Sequence, residues 1–390
     1  MNNRRNRRWV ALALMTAVLT TASACGKAVD SDELRVGVQF GLTGVNASFD
    51  SVYDNAAKIA FAEAEENGIN GKPVTFHYAD DASDPATAVS VARKFVSQDQ
   101  VQAMYGPGFT PTSLSTMEVA SSSKVPFYTP GSINPKLTEP LNEYVFSSNF
   151  SSNDVADGIA KLADSMGAKR IGMLAENDAY GDAAVEGAEA SLAEYGLKID
   201  ATQKISANAT DATTQMRELQ AANVDLVLLG VTAPAIAAAL NAQIDQQIYL
   251  PMATFAGSNE SLDTLASSDP RIQYYALTPL ACPVGDDCTA DFLTAWEAAY
   301  PDQEPIVWSV QAYASAKAFL AGLANAEDFT PDGIVAGLQT MEPYETPELP
   351  CPIQFSPDSH KGTSCTNFYE ITGGEVAFFG NDVRRNELTK

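Results

Sequence analysis

The chain is 390 residues long, 45% hydrophobic and 19% charged, the composition of a folded protein with two or three domains, or one bilobal one. Its 49 acidic residues against 24 basic ones give a formal charge of −25, which excludes a nucleic-acid binder and electrostatic docking on anionic lipid. Two histidines, His77 and His360, leave little material for an imidazole metal site or general base, so no metal or cofactor is expected.

Residues 1–8 hold four arginines and no acid, residues 9–19 are apolar, and Thr20-Thr21-Ala22-Ser23-Ala24 leads to Cys25. That order predicts a secretory signal peptide over residues 1–24, because the apolar run is too short to cross about 30 Å of hydrocarbon. Ala-Ser-Ala before Cys25, with Gly26 after it, resembles a bacterial lipobox in which alanine replaces the usual leucine. Lipidation of Cys25 is the preferred reading, although ordinary cleavage there would expose the same cysteine without lipid. The paired arginines are read as a positive flank and not as a twin-arginine signal. Loss of four arginines takes the charge from −25 to −29, and residues 25–33 become the lipidated cysteine and its tether. Export implies an oxidising setting, so Cys282, Cys288, Cys351 and Cys365 are expected in disulfides. Three connectivities are open. The local one, Cys282 with Cys288 and Cys351 with Cys365, is preferred because each pair brackets a polar loop with glycine or proline. A metal site is the competing reading, and it lacks C-x-x-C spacing.

From residue 34 the chain alternates strand-like and helix-like segments. Residues 34–40 are a β-branched run ending in Gly41-Leu42-Thr43-Gly44. Val52, Ala56, Ile59, Ala60 and Ala64 fall at helical spacing over residues 51–67, and Gly68 stops the pattern. Residues 74–79 alternate as a strand, and Asp84-Pro85 supplies an N-cap and a first-turn proline for a helix over 86–96. Further strands are predicted at 101–105, 125–128, 170–174, 224–229 and 248–253. Helices are predicted at 111–122, 152–166, 180–195, 213–222 and 233–247. Such alternation predicts parallel sheets covered by helices on both faces, and about ten units predict two α/β lobes. Crossings between lobes are expected near residues 144–153 and 274–283, followed by helices at 289–300 and 307–323. The tail carries four prolines over 343–352, then a hairpin around Gly373-Gly374.

Catalytic motifs are absent: there is no G-x-S-x-G, H-E-x-x-H, G-x-x-x-x-G-K-[ST] or G-x-G-x-x-G. The acidic cluster Asp80-Asp81-Ala82-Ser83-Asp84 lacks EF-hand spacing and is read as turn and capping chemistry. Ligands of open α/β sheets sit outside the carboxyl ends of strands. Those loops here are residues 41–44, 106–113, 130–133, 178–181, 230–232 and 254–257, mostly small, hydroxylic or aromatic. Thr110, Thr112 and Ser113 open a helix whose N-terminus suits a carboxylate, unless Thr110 merely caps it. Tyr180 and Phe255 are, taken singly, ordinary packing residues; together on one rim they predict a small-ligand cleft.

The stretches VGVQFGLTG, YADDASDPATAVSVARKFV, YGPGFTPTSLSTMEVASSSKVPFYTPGSINPKLT, NDAYGDAAVEG and VDLVLLG resemble, in order and spacing, the type I periplasmic-binding proteins of the branched-chain amino-acid (leucine-binding) class. Those are extracytoplasmic receptors of ABC importers. The resemblance runs from about Leu34 to Leu323, with a weaker match around IQFSPDSHKG. It implies two Rossmann-like lobes joined by a three-strand hinge: lobe 1 over 34–149, lobe 2 over 150–280, a return to lobe 1 over 281–342, and a return to lobe 2 with the tail over 343–390. It also implies no enzymatic activity. Thr110 falls where a hydroxylic residue binds the ligand carboxylate, with Gly131 and Ser132 on the neighbouring loop. Tyr180 matches the aromatic wall of the second lobe, and Phe49 that of the first. The ammonium side departs from the family: Ile133 replaces a threonine, Thr232 a frequent aromatic, and Phe255 an acid. A buried ammonium without a carboxylate partner costs on the order of several kcal/mol, so an aromatic or branched organic acid is the expected ligand. The expected partner is a membrane permease, and the expected state a monomer held at the cell surface by its lipid alone. A ligand sensor feeding a signalling partner and, less so, a hydrolase are the other classes; the hydrolase needs a base that neither histidine obviously supplies.

Overall fold

Apolar runs flanked by helical patterns become two sheets, each with paired helices on both faces. The structure is a computed structural model and describes residues 32–257 and 260–379. The leader, Cys25 and most of the tether lie outside the described residues.

The first sheet is built from β1 (Leu34–Phe40), β2 (Val74–Asp80), β3 (Ala103–Tyr105), β4 (Phe127–Thr129) and β5 (Val145–Ser147), in the order β2-β1-β3-β4-β5, all parallel. Its connecting helices are α1 (Ala47–Asn67), α2 (Pro85–Lys94) and α3 (Thr110–Ser123). Asp84 caps α2, accepting from Thr87 N at 2.8 Å, with proline in the first turn. Helix α1 begins four residues before the periodic pattern does. That first turn is held by tertiary bonds: Asp50 accepts from Gly41 N at 2.9 Å and from Asn46 Nδ2 at 3.2 Å.

The second lobe carries α4 (Ser152–Ser165), β6 (Ile171–Glu176), α5 (Ala179–Glu194), β7 (Ile199–Ile205), α6 (Thr213–Ala221), β8 (Leu226–Gly230), α7 (Ala233–Gln246), β9 (Met252–Gly257), α8 (Glu260–Ser267) and β10 (Gln273–Thr278). The sequence reading missed β7. It is an edge strand of mostly half-exposed residues, so Ile-Asp-Ala-Thr-Gln-Lys-Ile shows no apolar run. Two antiparallel strands, β11 (Asn367–Thr372) and β12 (Glu375–Phe379), extend the sheet to the order β12-β11-β10-β9-β8-β6-β7. Their turn places Gly373 and Gly374 at φ of 60° and 83°, the left-handed geometry of a two-residue hairpin.

The chain passes between the sheets three times: after β5, after β10, and before β11. The second passage leads to α9 (Ala290–Ala299), α10 (Val307–Asn325) and α11 (Pro331–Thr340), with α10 packed along α1 of the first lobe. The tail beyond residue 342, expected with the second lobe, first runs along β5. There Ser147 N donates to His360 O at 2.9 Å and Gly362 N donates to Ser147 O at 2.7 Å. His360 is fully buried, stacks on Phe146 at 3.9 Å, and has Gln339, Asn142 and Val145 against its ring nitrogens. Burial holds its imidazole below the ordinary value, so it is a neutral packing residue.

Disulfides join Cys282 to Cys288 in the second passage and Cys351 to Cys365 in the third. Closing the longer loop is worth about 3 kcal/mol by chain entropy. Reduction with dithiothreitol is therefore expected to lower the melting temperature by several degrees, and an unchanged calorimetric transition would refute it.

Candidate functional site

Both lobes share one strand order around their first strand, β2-β1-β3-β4-β5 and β7-β6-β8-β9-β10, so each has a switch point where neighbouring crossovers leave in opposite directions. The loops at these two points, after β1 and β3 and after β6 and β8, line a single cleft between the lobes. It holds about 900 Å³, solvent at its mouth included. Val45, Asn46, Ser48, Phe49, Gly108, Phe109, Thr110, Gly131 and Ile133 come from the first lobe, and Tyr180, Thr232, Ala233, Pro234 and Phe255 from the second. Ile306 and Trp308, at the start of α10, close it from the returning segment. None of these lining residues is charged.

The first-lobe wall depends on close backbone approach. A side chain on Gly131 would put its Cβ 2.8 Å from Gly108 Cα, and one on Gly108 would sit 2.8 Å from Asp50 Oδ1. Phe109, not Thr110, is the N-cap of α3, and no side chain caps that end. The capping role considered for Thr110 therefore falls away. Its hydroxyl instead pairs with Ser132 Oγ at 3.1 Å, while Thr112 and Ser113 donate to backbone carbonyls. Ser132 is buried behind Thr110 and does not line the cleft. Beneath this wall Asp50 is fully buried; burial pushes its carboxyl well up, against hydrogen bonds from Gly41 and Gly108, and the Asp81 charge adds to the rise.

In the second lobe Asp178 caps α5, accepting from Tyr180 N at 2.9 Å and Gly181 N at 3.0 Å, which sets the Tyr180 ring at the cleft. Any Cβ on Gly181 would meet Glu176 O at 2.1 Å, so only glycine lets α5 start this close to β6. Thr232 is the N-cap of α7 but does not cap it with its side chain; its N–H and hydroxyl both donate to Glu176 Oε1. Phe255 ends fully buried, packed in the core and facing the cleft at once.

Six of the seven residues named from sequence thus line the cleft, and Ser132 supports one of them. Trp308 was missed. It packs on Phe49 with ring centroids 5.7 Å apart, more than 250 residues away along the chain. Its signal was weak: one tryptophan at the start of the helix predicted over 307–323. Asn46 was missed because it sits just past the expected loop at 41–44, and Phe109, inside the loop at 106–113, was passed over for the hydroxyls that follow it.

The chain is similar to a Leu/Ile/Val-binding protein homolog of Brucella abortus, 26% identical over 321 residues, covering 80% of this chain and 84% of that one. Among solved structures it is similar to a leucine binding protein from Thermotoga maritima, with TM-score 0.76 and 17% identity over 90% of this chain and 98% of that one. A solute binding protein of an ABC transporter from Rhodopseudomonas palustris, solved with benzoate, gives TM-score 0.76 at 16% identity, over 90% and 96%. Another from that species, solved with 3,4-dihydroxybenzoic acid, gives 0.77 at 20% identity, over 90% and 98%. These are solute-binding proteins and not enzymes. The family described as periplasmic binding protein matches residues 33–375, and with two switch points facing one cleft, this chain belongs to it, as a type I member of the branched-chain amino-acid class.

Proposed function

We propose that the protein captures a small organic acid with an aromatic or branched apolar body and delivers it to a membrane permease. The carrying observation is the cleft's lining: aromatic and aliphatic walls, no charged side chain among the described residues, and the uncapped N-terminus of α3 beside Thr110. Free N–H groups and the positive dipole end at α3 suit a carboxylate. With Phe255 in place, the lining has no carboxylate among the described residues for an ammonium, whose unpaired burial costs on the order of several kcal/mol. The benzoate and dihydroxybenzoate held by two of the structural neighbours are ligands of this class; leucine, named for another, is not.

In this reading each lobe offers half a site, and the ligand favours the closed arrangement by binding it more tightly than the open one. Phe49, Thr110, Gly131, Tyr180, Thr232 and Phe255 contact the ligand, with Ser132 orienting Thr110. Cys25, lipidated, holds the monomer at the outer face of the membrane. Calorimetric titration is expected to show binding of benzoate or a branched-chain carboxylic acid and none of leucine or valine. Tight leucine binding would overturn the reading, and native mass spectrometry of the purified protein would name the ligand that accompanies it.

A further inference from the structure

Behind the second lobe's half of the cleft lies a carboxyl outside the lining. Glu176, at the end of β6, is fully buried; its Oε1 accepts from Thr232 N at 2.7 Å and from the Thr232 hydroxyl, and its Oε2 is buried without a partner. Each neighbouring element adds charge or a hydroxyl. From α5 come Asp178 and Tyr180, whose hydroxyl is also buried and unpartnered, and from β10 comes Tyr274 beyond Tyr180. From β7 comes Lys204, whose Nζ meets the main-chain oxygen of Glu176 at 3.2 Å and Asp182 at 2.7 Å, leaving the Glu176 carboxyl without a cation among the described residues. Across the cleft Asp50 is buried behind Gly108, and Asp81 is buried beside it.

We infer that Glu176 takes up a proton when an anion is enclosed in the cleft, so that the protein binds a carboxylate together with one proton. The inference rests on the carboxylate reading above. Two negative charges enclosed in one low-dielectric site cannot both be kept at low cost, and the group with a free lone pair is the one that neutralises. Glu176 Oε2 is that lone pair, and protonation there leaves both Thr232 bonds to Oε1 in place. Burial already pushes the Glu176 carboxyl up to about 7, with Thr232's donors opposing and Asp178's charge adding to the rise. A further rise on binding gives a definite sign. Below about pH 7 the free protein already carries the proton and affinity is flat; above it, each bound anion must draw a proton and affinity falls with pH.

The test is calorimetric titration of the full chain with benzoate, phenylacetate and a branched aliphatic acid at pH 6.5 and 8.5, in phosphate and in Tris. The acids themselves stay ionised across this range. The expected result is affinity about tenfold or more weaker at pH 8.5, with a buffer-dependent enthalpy that reports uptake of close to one proton. Glu176→Gln is expected to bind with no proton uptake and no pH dependence. Binding by wild type without proton uptake would overturn the proposal and leave the carboxylate reading standing, and so would uptake that persists in Glu176→Gln. Failure of every carboxylate to bind at both pH values would overturn the two together. The wild-type comparison stands even if the variant does not fold.

Discussion

Phe255→Ala is expected to lose about 3–5 kcal/mol of stability, the cost of truncating a fully buried phenylalanine. Affinity for an apolar carboxylate is expected to fall about thirtyfold, because one face of the ring is cleft wall and burying such a side chain is worth about 2 kcal/mol. The two losses come from different faces of one ring, and Phe255→Leu separates them. Leucine keeps most of the volume that packs into the core while removing the flat surface presented to the ligand. Chemical denaturation reads the first loss, and titration at a temperature where the variant is folded reads the second. Wild-type affinity in the alanine variant would make Phe255 a core residue only and move the ligand elsewhere.

Asp50→Ala is expected to cost about 3 kcal/mol and to abolish binding, although Asp50 does not line the cleft. Its carboxyl takes Gly41 N, Asn46 Nδ2 and Gly108 N–H, joining the loops after β1 and β3 to the first turn of α1. Removing it orphans three donors and frees the glycine contact under Thr110. Asp50→Asn keeps the shape but only one accepting oxygen, so an intermediate loss is expected. The pH dependence has a clear sign. The folded carboxyl sits above its ordinary value, so the stability linked to its protonation is complete below the ordinary carboxylate range and is lost as pH rises through the raised value. Thermal unfolding of Asp50→Asn is therefore expected to vary less over that interval than wild type. Equal slopes would show that the burden of burial lies on other acids, Asp81 first among them, whose carboxyl is raised by burial as well.

Some of this was legible because it is local. The alternation of apolar runs with helical spacing is written residue by residue, and so are Asp84 capping α2 and the Gly-Gly turn of the tail hairpin. The loops at the carboxyl ends of the strands could be named as a candidate rim because strand direction follows from parallel pairing. The resemblance then placed Phe49, Thr110, Gly131, Tyr180, Thr232 and Phe255 on one cleft, where they are found. Reading Thr110 as a helix cap was the local alternative, and it gave way to a hydroxyl pair with Ser132, 22 residues on.

What escaped the sequence was set by distance along the chain or by exposure. Strand β7 is polar because it lies at an edge, and periodicity records only what is buried. Trp308 reaches Phe49 only because α10 returns to pack on α1. The sequence by itself determined the two α/β lobes and the chemical character of the cleft, since both follow from short-range pattern and residue type. Only the tertiary structure decided which acids lie behind the walls. Asp50 and Glu176 read as ordinary carboxylates among 49 acidic residues, and it is burial, removing water from them, that makes them different from the rest.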